Sequence, residues 1–421
     1  MVNRWVLAGA AAASFLAVSL EGQGGQRGGA DQPSCFTGAT VVSRGTGPDI
    51  ENAFFSVQDR VLSVVSPMER PAAPGTCTDL NGKFVIPGLI SAHAHVPSVN
   101  GLAVYARYGI TSIWSLGGEQ APAFNARRTQ TSEPALDRAR IYLAGTIITA
   151  RTDAEARQQV ATVAATGPDI IKIRVDDNLG ATAKMPPEAY RAVIDEAHRR
   201  DLRVAAHIFY LDDAKDLLRA GVDVIAHSVR DKEIDDEFIS LMKSRGAAYI
   251  PTLTREVAAF VYESTPAFFD DPFLLREADP AVIARLKEPA RQQTVRASVN
   301  AQKYKAALVV AERNLRKASD AGLLIAMGTD SGAQPERFQG YFEHLEMEMM
   351  VKAGMTPAQV LKSATGDAAK AMRLNGIVGG IGAFTTGSWA DFVVLDRDPR
   401  ADIRNTRSIS AVYVAGQAVK R

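Results

Sequence analysis

The sequence predicts an α/β protein in which a (β/α)8 barrel of the TIM type carries a small β-sandwich built from both chain ends. The middle of the chain alternates eight short apolar runs with helix-patterned stretches, and both ends show the alternation and turns typical of strands. A length of 421 residues also exceeds one ordinary globular core. A doubly wound sheet is the alternative, which the lack of a G-x-G-x-x-G motif after a first strand disfavours.

Composition narrows the class of protein further. The hydrophobic fraction of 46% and the charged fraction of 23% are typical of a folded soluble protein and exclude a polytopic membrane protein. The 48 Lys and Arg residues nearly balance 47 Asp and Glu residues, which argues against a nucleic-acid-binding surface. Two cysteines cannot form a four-thiolate zinc site. We therefore expect a small-molecule substrate, no nucleic-acid partner and a homo-oligomer.

The N-terminus has the shape of an export signal. An apolar run from Trp5 to Leu20 follows a single basic residue, Arg4, which predicts a signal peptide over residues 1–20 and a Gly/Gln-rich flexible leader over residues 21–35. The alternative is a retained membrane anchor, but the run is shorter than a typical membrane span. We expect an exported protein, periplasmic or secreted, with no stable membrane span after cleavage.

Export permits a disulfide between Cys35 and Cys77. Closing a loop of that length would stabilise the fold by roughly 4 kcal/mol in the chain-entropy model. The alternative is two unpaired cysteines in a small β domain. That domain is predicted from residues 36–82 and 380–421, which flank a barrel over residues 83–379.

Eight apolar runs predict the barrel strands in order. Helical stretches separate most of them, such as residues 187–200, where polar and apolar side chains alternate with helical periodicity. Residues 254–323 form a long insertion before the last strand. Its aromatic residues either cover the barrel mouth as a lid or pack the insertion's own helices: Phe260, Tyr262, Phe268, Phe269 and Phe273. The predicted strands are residues 83–95, 110–116, 140–145, 169–175, 203–208, 222–227, 247–253 and 324–331.

Metal-competent side chains fall at the ends of these strands. His93 and His95 are two residues apart on the first strand and therefore share a face. Two adjacent imidazoles suit a core poorly unless a metal engages their lone pairs, although either one is also compatible with a hydrogen-bonded core position. His207, His227 and Asp330 end the fifth, sixth and eighth strands. Catalytic groups of such barrels lie at this C-terminal face, so the set predicts a metal centre.

Lys172 lies between isoleucines in the fourth predicted strand. A bare ammonium is costly to bury there, whereas a neutral lysine reacts with carbon dioxide to give an anionic carbamate able to bridge two metals. The alternative is a lysine that extends to solvent from the strand end. The two remaining histidines predict no site: His198 lies on a charged helix surface, and His344 is expected mainly to pack.

Several segments resemble the amidohydrolase superfamily, and in particular its imidazolonepropionase-like and prolidase-like branch. The segment GKFVIPGLISAHAH at 82–95 resembles the superfamily's entry strand, and GSWADFVVL at 387–395 resembles the branch's return into its β-sandwich. The segments YGITS at 108–112, AGVD at 220–223 and AGMTP at 353–357 add to the likeness. The resemblance covers residues 36–421 with its motifs in order.

This resemblance implies a binuclear zinc centre. His93 and His95 would bind one zinc ion, His207 and His227 the other, carbamylated Lys172 would bridge them, and Asp330 would touch the first. Imidazolonepropionase itself has one metal and no bridging lysine, so Lys172 favours the binuclear, prolidase-like form. The chain departs from the family pattern in having Ser91 where Asp or Asn is frequent and Ala226 where Glu is frequent. These departures bear on the orientation of the ligands rather than on the ligands themselves.

The expected activity is hydrolysis of an amide C–N bond in an N-acyl amino acid or an Xaa-Pro-type dipeptide. A metal-bridging hydroxide would attack the carbonyl, and Asp330 would shuttle its proton to the leaving amine. Alternatives are lactone or ester hydrolysis on the same site, and a scaffold protein without activity; deamination is disfavoured by Lys172. Residues near strand ends that are candidates for holding a substrate carboxylate are Arg174, Tyr210, Arg230, Tyr249 and Arg255.

Overall fold

Strands from both ends of the chain form one sheet in the computed structural model, which describes residues 34–43, 48–68, 75–133, 135–376 and 379–420. The N-terminal strands are β1 (Ser34–Val41), β2 (Ile50–Gln58), β3 (Val61–Pro67), β4 (Thr78–Asp79) and β5 (Phe84–Pro87). The C-terminal strands are β14 (Phe392–Leu395), β15 (Ile409–Val414) and β16 (Gln417–Ala418). The strand order is β16-β15-β14-β5-β1-β2-β3, with β4 beside β1.

Aromatic side chains hold the two chain ends together. Phe36 of β1 stacks on Phe55 of β2 with ring centroids 4.8 Å apart, and it meets Phe392 of β14 edge-on at 5.4 Å. Tyr413 of β15 stacks on Phe392 at 4.4 Å. Aromatic pairs in these geometries add to the free energy of simple burial. The sheet domain predicted from both termini is therefore one packed unit with its own core.

The middle of the chain forms two parallel sheets. One contains β6 (Leu89–Ala94), β7 (Ile110–Ser115) and β8 (Arg140–Leu143); the other contains β9 (Ile171–Arg174), β10 (Val204–His207), β11 (Val224–Ala226), β12 (Ala248–Ile250) and β13 (Leu324–Ile325). Single parallel bridges, Ala94 to Ser331 and Ile148 to Ile173, join the edges of the two sheets. Each of the eight predicted runs contains one of these strands.

The first predicted strand, residues 83–95, divides into two strands that belong to different sheets. Strand β5 pairs with β1 and β14 in the terminal sheet, whereas β6 pairs with β7. Gly88 separates them and passes close to the next strand, because a Cβ placed on it would lie 2.0 Å from Oγ1 of Thr111. A glycine is required where two backbones approach this closely. The predicted boundary at residue 83 therefore falls inside the sheet domain.

Helices cover the parallel strands. Helix α4 shows why: its apolar positions, among them Val193 and Ile194, are buried, and its charged positions Glu188, Arg191 and Asp195 are exposed, as the periodicity predicts. The helices up to the insertion are α1 (Gly101–Arg107), α2 (Ala121–Thr129), α3 (Asp153–Ala164), α4 (Pro187–Arg199), α5 (Leu211–Ala220) and α6 (Asp236–Arg245). Those that follow are α7 (Leu253–Phe260), α8 (Pro272–Leu275), α9 (Pro280–Leu286), α10 (Pro289–Ala297), α11 (Val299–Asp320), α12 (Tyr341–Lys352), α13 (Pro357–Ser363) and α14 (Gly366–Ala371). Short 3-10 helices lie at Val261–Glu263, Ala267–Asp270 and Ile403–Arg407.

The insertion before the last barrel strand packs against α12 and its neighbours. Phe268 meets the rings of Tyr341 and Phe342, and Phe273 lies 4.9 Å from the ring centroids of both Tyr108 and His344. Within the insertion, Phe268 also meets the rings of Tyr262 and Phe269, so its aromatic residues pack both its own helices and the neighbouring elements. Among the described residues, no helix combines the length and the apolar character that a membrane span requires.

Cys35 and Cys77 form a disulfide in the structure. The bond ties β1 to the chain just before β4, so it fastens β4 beside β1 within the terminal sheet. Strand β1 begins at Ser34, so the last two residues of the predicted leader, Ser34 and Cys35, belong to the sheet instead. The predicted signal peptide, residues 1–20, lies outside the described residues, as do residues 21–33.

A buried ion pair links the parallel strands to the terminal sheet. Arg140 of β8 donates from Nε to Oδ2 of Asp391 at 2.7 Å and from Nη2 to Oδ1 at 3.2 Å. Both side chains are at most 4% exposed, and the guanidinium lies 4.1 Å from the ring centroid of Trp389. Breaking such a pair on one side leaves an uncompensated buried charge, which is strongly destabilising.

Replacing Asp391 with Asn is expected to lower the free energy of unfolding by about 3–5 kcal/mol. The amide cannot neutralise Arg140, which stays buried. Urea denaturation followed by circular dichroism measures the change. Asp396→Asn is the matched control, because Asp396 pairs with Lys83 at the surface, where both side chains are at least 40% exposed and a pair contributes about 1 kcal/mol or less. Equal stabilities for the two variants would contradict the role given to the buried pair.

Candidate metal centre and active site

Six predicted metal ligands converge at the C-terminal ends of the parallel strands. They come from β6 and the residues just after it, from β9, from the end of β10, and from the loops that follow β11 and β13. Parallel strands bring their carboxyl ends to one edge, so groups distant in sequence meet there. The six are His93, His95, Lys172, His207, His227 and Asp330.

Asp330 lies between the two histidines of the first barrel strand. Its Oδ1 is 2.9 Å from Nε2 of His95 and 3.4 Å from Nε2 of His93. Nδ1 of His95 lies 2.9 Å from the carbonyl oxygen of Gly117, which directs the other ring nitrogen towards Asp330. Burial by itself raises the pKa of Asp330, but the charge of Arg337 and hydrogen bonds from the two histidines hold it well below its usual value.

Lys172 points into the same cluster. Its Nζ lies 3.3 Å from Nε2 of His93, and the residue is 2% exposed. Burial lowers the pKa of Lys172 to about 7, chiefly because the interior disfavours the charged ammonium. Near neutral pH a large fraction of this lysine is therefore an uncharged amine.

His207 and His227 complete the cluster on its other side. Their ring centroids are 4.1 Å apart, and the His227 ring lies 4.5 Å from that of His93. Nδ1 of His227 lies 2.7 Å from Oγ1 of Thr252, whereas its buried Nε2 has no hydrogen-bond partner among the described residues. Burial lowers the pKa of both histidines, to about 3 for His207, so both rings are neutral near pH 7. Neutral imidazoles are the form that binds a metal.

Ligand atoms of His93, His227 and Asp330 lie within 4.8 Å of one another. Together with the unpartnered Nε2 of His227, this donor set fits a transition metal, because nitrogen and carboxylate ligands at this spacing are those that zinc prefers. Asp330 and His227 also have left-handed backbone conformations, with φ of 62° and 81°. Non-glycine residues tolerate that conformation mainly where the surrounding structure holds them, often at functional sites.

Glu343 of α12 connects β6 with the segment that follows β13. Its Oε1 accepts hydrogen bonds from Thr329 at 2.7 Å, from Ser331 at 2.6 Å and from Ser91 at 3.1 Å. These donors flank Asp330 and precede His93, so one buried carboxylate fixes both strands. Ser91, where the family pattern has Asp or Asn, thus contributes as a donor to Glu343. Burial raises the pKa of Glu343.

A cavity of about 230 Å³ opens onto the cluster. Two of the predicted substrate-binding residues, Arg174 and Arg255, line it together with Arg337. The Arg255 guanidinium lies 4.9 Å from the Tyr304 ring centroid and donates from Nη1 to Glu256 at 2.8 Å. The cavity therefore has a cationic wall beside the metal-competent side chains. Its lining is His95, Ile147, Lys172, Arg174, His207, Arg255, Asp330, Ala333, Gln334 and Arg337.

The other three predicted substrate-binding residues do not line this cavity. Arg230 is 1% exposed and pairs with Glu256 at 2.9 Å. Tyr249 is fully buried, and its hydroxyl accepts from the backbone N–H of Val229. Tyr210 donates to Asp177 at 2.8 Å. Each was predicted from proximity to a strand end, which does not by itself reveal the direction in which the side chain points.

Three residues of the site were missed by the sequence reasoning. Asp176 accepts from His207, and Arg337 pairs with Asp330. Asp176 follows Lys172 by four residues, so strand alternation places both on one face, which was a usable signal. Arg337 and Glu343 come from the loop and helix after the last barrel strand, and no local pattern marks them.

The two remaining histidines lie away from the cluster. His198 is on the surface, where Nε2 lies 2.9 Å from Asp223. His344 is buried, with Nδ1 2.9 Å from Oγ1 of Thr406 and Nε2 2.8 Å from the carbonyl oxygen of Tyr108. Its role is tertiary packing between α12, α1 and the C-terminal segment.

Stability is expected to fall in acid partly because of His344. Burial lowers its pKa to about 3, so the folded chain keeps the ring neutral while the unfolded chain protonates it near pH 6.5. The contribution of neutral His344 to the free energy of unfolding is complete above about pH 6.5. It declines by up to about 1.4 kcal/mol per pH unit as the pH falls towards 3. Urea denaturation between pH 7 and 4.5 measures this slope. His344→Gln should flatten the slope and the surface control His198→Gln should not; parallel profiles would contradict the assignment.

Comparisons with known proteins agree on one family. The family model described as "Amidohydrolase family" matches residues 84–419. A crystal structure of a Bifidobacterium longum protein assigned as a prolidase superposes with a TM-score of 0.75 and 26% identity, covering 93% of this chain and 95% of that one. A Xaa-Pro dipeptidase structure with bound methionine gives a TM-score of 0.74 at 20% identity, covering 93% of this chain and 100% of that one. The second likeness shows the fold alone.

Two relatives by sequence match over part of their length. Ochratoxinase of Aspergillus niger is 25% identical over 249 residues, which are 58% of this chain and 43% of that protein. An uncharacterized protein of Mycobacterium bovis is 27% identical over 199 residues, 42% of this chain and 53% of that protein. The chain thus spans about half the length of these curated relatives.

Proposed function

Since the chain belongs to the amidohydrolase family, we propose that it is a metal-dependent hydrolase of an amide C–N bond in an N-acyl amino acid or an Xaa-Pro-type dipeptide. The observation that carries the proposal is the convergence of six metal-competent side chains at the C-terminal ends of the parallel strands, where four of them line one cavity. We also infer that the two parallel sheets close into a (β/α)8 barrel, which the bridges at both sheet edges support. Export is proposed from residues 1–20, and the Cys35–Cys77 disulfide supports it.

The donor set suits two divalent ions, for which zinc is the proposed metal. His93, His95 and Asp330 would hold one ion and His207 and His227 the other. When bound, such ions lower the pKa of a water molecule and polarise the scissile carbonyl. The neutral state of the buried histidines favours binding, because no proton has to be displaced.

Lys172 would bridge the two ions after carbamylation. The neutral amine adds to carbon dioxide, forming an N–C bond and releasing one proton, which yields an anionic carbamate. The pKa of about 7 keeps the amine available for this reaction at neutral pH. Oxygen ligands then replace a cation that the interior disfavours.

Asp330 is the proposed proton carrier. Its carboxylate lies in the cavity wall, and the side chains of the two flanking residues, Thr329 and Ser331, donate to Glu343. It would accept the proton of the attacking water and pass it to the amine nitrogen as the C–N bond breaks. Amides need this step because an unprotonated amine is a poor leaving group.

Arg255 is the proposed contact for the substrate carboxylate. Replacing it with Gln is expected to raise KM at least tenfold for an N-acyl amino acid with a much smaller change in kcat, because the lost contact is made equally in the ground and transition states. Steady-state kinetics measure both constants. The carboxamide form of the same substrate is the control: the wild type should lose affinity for it, and the variant should barely distinguish the two. Equal discrimination by both proteins would contradict the contact.

The function itself is tested with the zinc-loaded chain on a panel of N-acyl amino acids, dipeptides and lactones. The proposal expects turnover of amides above that of lactones, together with stoichiometric zinc by elemental analysis. Preferred lactone turnover would replace the amide assignment with the ester-type alternative. Absence of zinc and of turnover across the panel would indicate a scaffold protein.

A further inference from the structure

Asp176 is a buried carboxylate that the proposed chemistry does not use. It is 3% exposed and lies just beyond β9, where alternation places it on the same side as Lys172 and Arg174. The cost of burying a carboxylate requires partners for both oxygens. Here Oδ1 accepts from Nε of Arg174 at 3.0 Å, and Oδ2 lies 3.2 Å from Nε2 of His207.

The contact with His207 determines which ring nitrogen faces the cavity. An ionised carboxylate only accepts hydrogen bonds, so Nε2 of His207 carries the proton and donates. In the neutral ring the proton is then absent from Nδ1, which is left with a free lone pair. His227 has the opposite arrangement: its Nδ1 forms the hydrogen bond with Thr252, and its Nε2 has no hydrogen-bond partner among the described residues. The hydrogen bond that orients each ring therefore involves Nε2 in His207 and Nδ1 in His227.

Strand register explains why this contact is well defined. Strands β9 and β10 are parallel neighbours in which Arg174 and His207 are paired residues. Asp176 lies two residues past the end of β9, and its carboxylate contacts Arg174 on one side and His207, the last residue of β10, on the other. The triad of Arg174, Asp176 and His207 thus spans two adjacent strands and ends at the cavity wall that contains His207.

We propose that Asp176 is a positioning residue that fixes the Nδ1 lone pair of His207 for metal binding, with Arg174 holding the Asp176 carboxylate in turn. This inference rests on the proposed function, since it concerns one of the proposed metal ligands. Asp176 would act on the metal centre through His207 and would touch no substrate. Outer carboxylates of this kind orient a ligand ring and raise its basicity.

Zinc affinity of the metal-free full-length chain tests the proposal. Zn²⁺ is titrated against a chromogenic chelator for the wild type, Asp176→Ala, Asp176→Asn and Arg174→Gln. We expect the Asp176 variants to bind one of two zinc ions about 10–100-fold more weakly, with a smaller loss for Arg174→Gln. Asp177→Asn is the matched control, because the neighbouring Asp177 contacts Tyr210 instead and should leave zinc affinity unchanged. Thermal unfolding of each variant checks that it is folded.

A second measurement does not depend on the Asp176 and Arg174 variants. In wild-type chain labelled with ¹⁵N-histidine, the metal-free spectrum should show His207 as the Nε2–H tautomer, assigned by its loss in His207→Gln. Wild-type zinc affinity in both Asp176 variants, or an Nδ1–H tautomer for His207, would overturn the inference and leave the proposed function intact. A wild-type chain that binds no zinc would overturn both.

Discussion

Replacing Asp330 with Asn is expected to lower kcat by about 10³-fold, within the range that a positioned acid–base group contributes. The amide is nearly isosteric, so it can fill the space between His95 and Arg337, but it cannot accept the proton of the attacking water. On the transition-state scale the loss corresponds to about 4 kcal/mol. Steady-state kinetics of the zinc-loaded variant on the best substrate of the panel measure it.

Two controls separate proton transfer from loss of metal or fold. Elemental analysis should find zinc retained in Asp330→Asn, because the histidine ligands remain. Asp320→Asn is the matched surface variant, since Asp320 is exposed on α11 and pairs with Arg316 one turn earlier on the same helix. Its activity should equal that of the wild type. Full turnover by Asp330→Asn would remove the residue from the mechanism.

Replacing Lys172 with Met is expected to lower the zinc content from about two ions per chain to about one or fewer and to lower kcat/KM by about 10³-fold or more. Methionine keeps the length and apolar character of the buried stem but forms no carbamate. The loss should be partly reversed by short carboxylic acids, which can enter the space beside His93 and supply the missing oxygen ligands. Elemental analysis and kinetics with and without added propionate measure these effects.

Lys184→Met is the matched control, because Lys184 is a partly exposed lysine that pairs with Asp213. It should keep full zinc content and activity. A carbamate is also directly observable: ¹³C-labelled carbon dioxide should give a carbamate carbonyl signal in the wild type that Lys172→Met lacks. Two zinc ions per chain in Lys172→Met would contradict the bridging role.

The strands that carry the site were predictable because their signals are local. Apolar runs of four to eight residues and the helical periodicity of α4 reflect burial on one face, which the sequence records at short range. Strand alternation placed His93 and His95 on a common face. The apolar run around Lys172 placed that lysine inside β9, where burying a charged ammonium is costly. The β-rich ends followed from alternation as well, although the division at Gly88 did not, since both halves of that run are equally apolar.

The directions of side chains near the strand ends were predicted less well than the strands themselves. Arg230 follows β11 and Tyr249 belongs to β12, yet both are buried and do not line the cavity; Arg230 pairs with Glu256, and Tyr249 accepts from the backbone of Val229. Arg255 has the same kind of sequence context but lines the cavity. Residue type and proximity to a strand end do not separate these cases, because Arg230 follows β11, Tyr249 lies within β12 and Arg255 lies in the first turn of α7, so a different backbone geometry directs each side chain.

The sequence by itself determined the alternation of strands and helices, the chemistry of the six candidate ligands and their positions along the strands, since each depends on residues close together in the chain. Only the tertiary structure decided which groups support them. Glu343 reaches Ser91 across 252 positions, and His95 meets Asp330 across 235. Such contacts form because parallel strands bring their ends to one edge, and no short-range pattern encodes which partner arrives there.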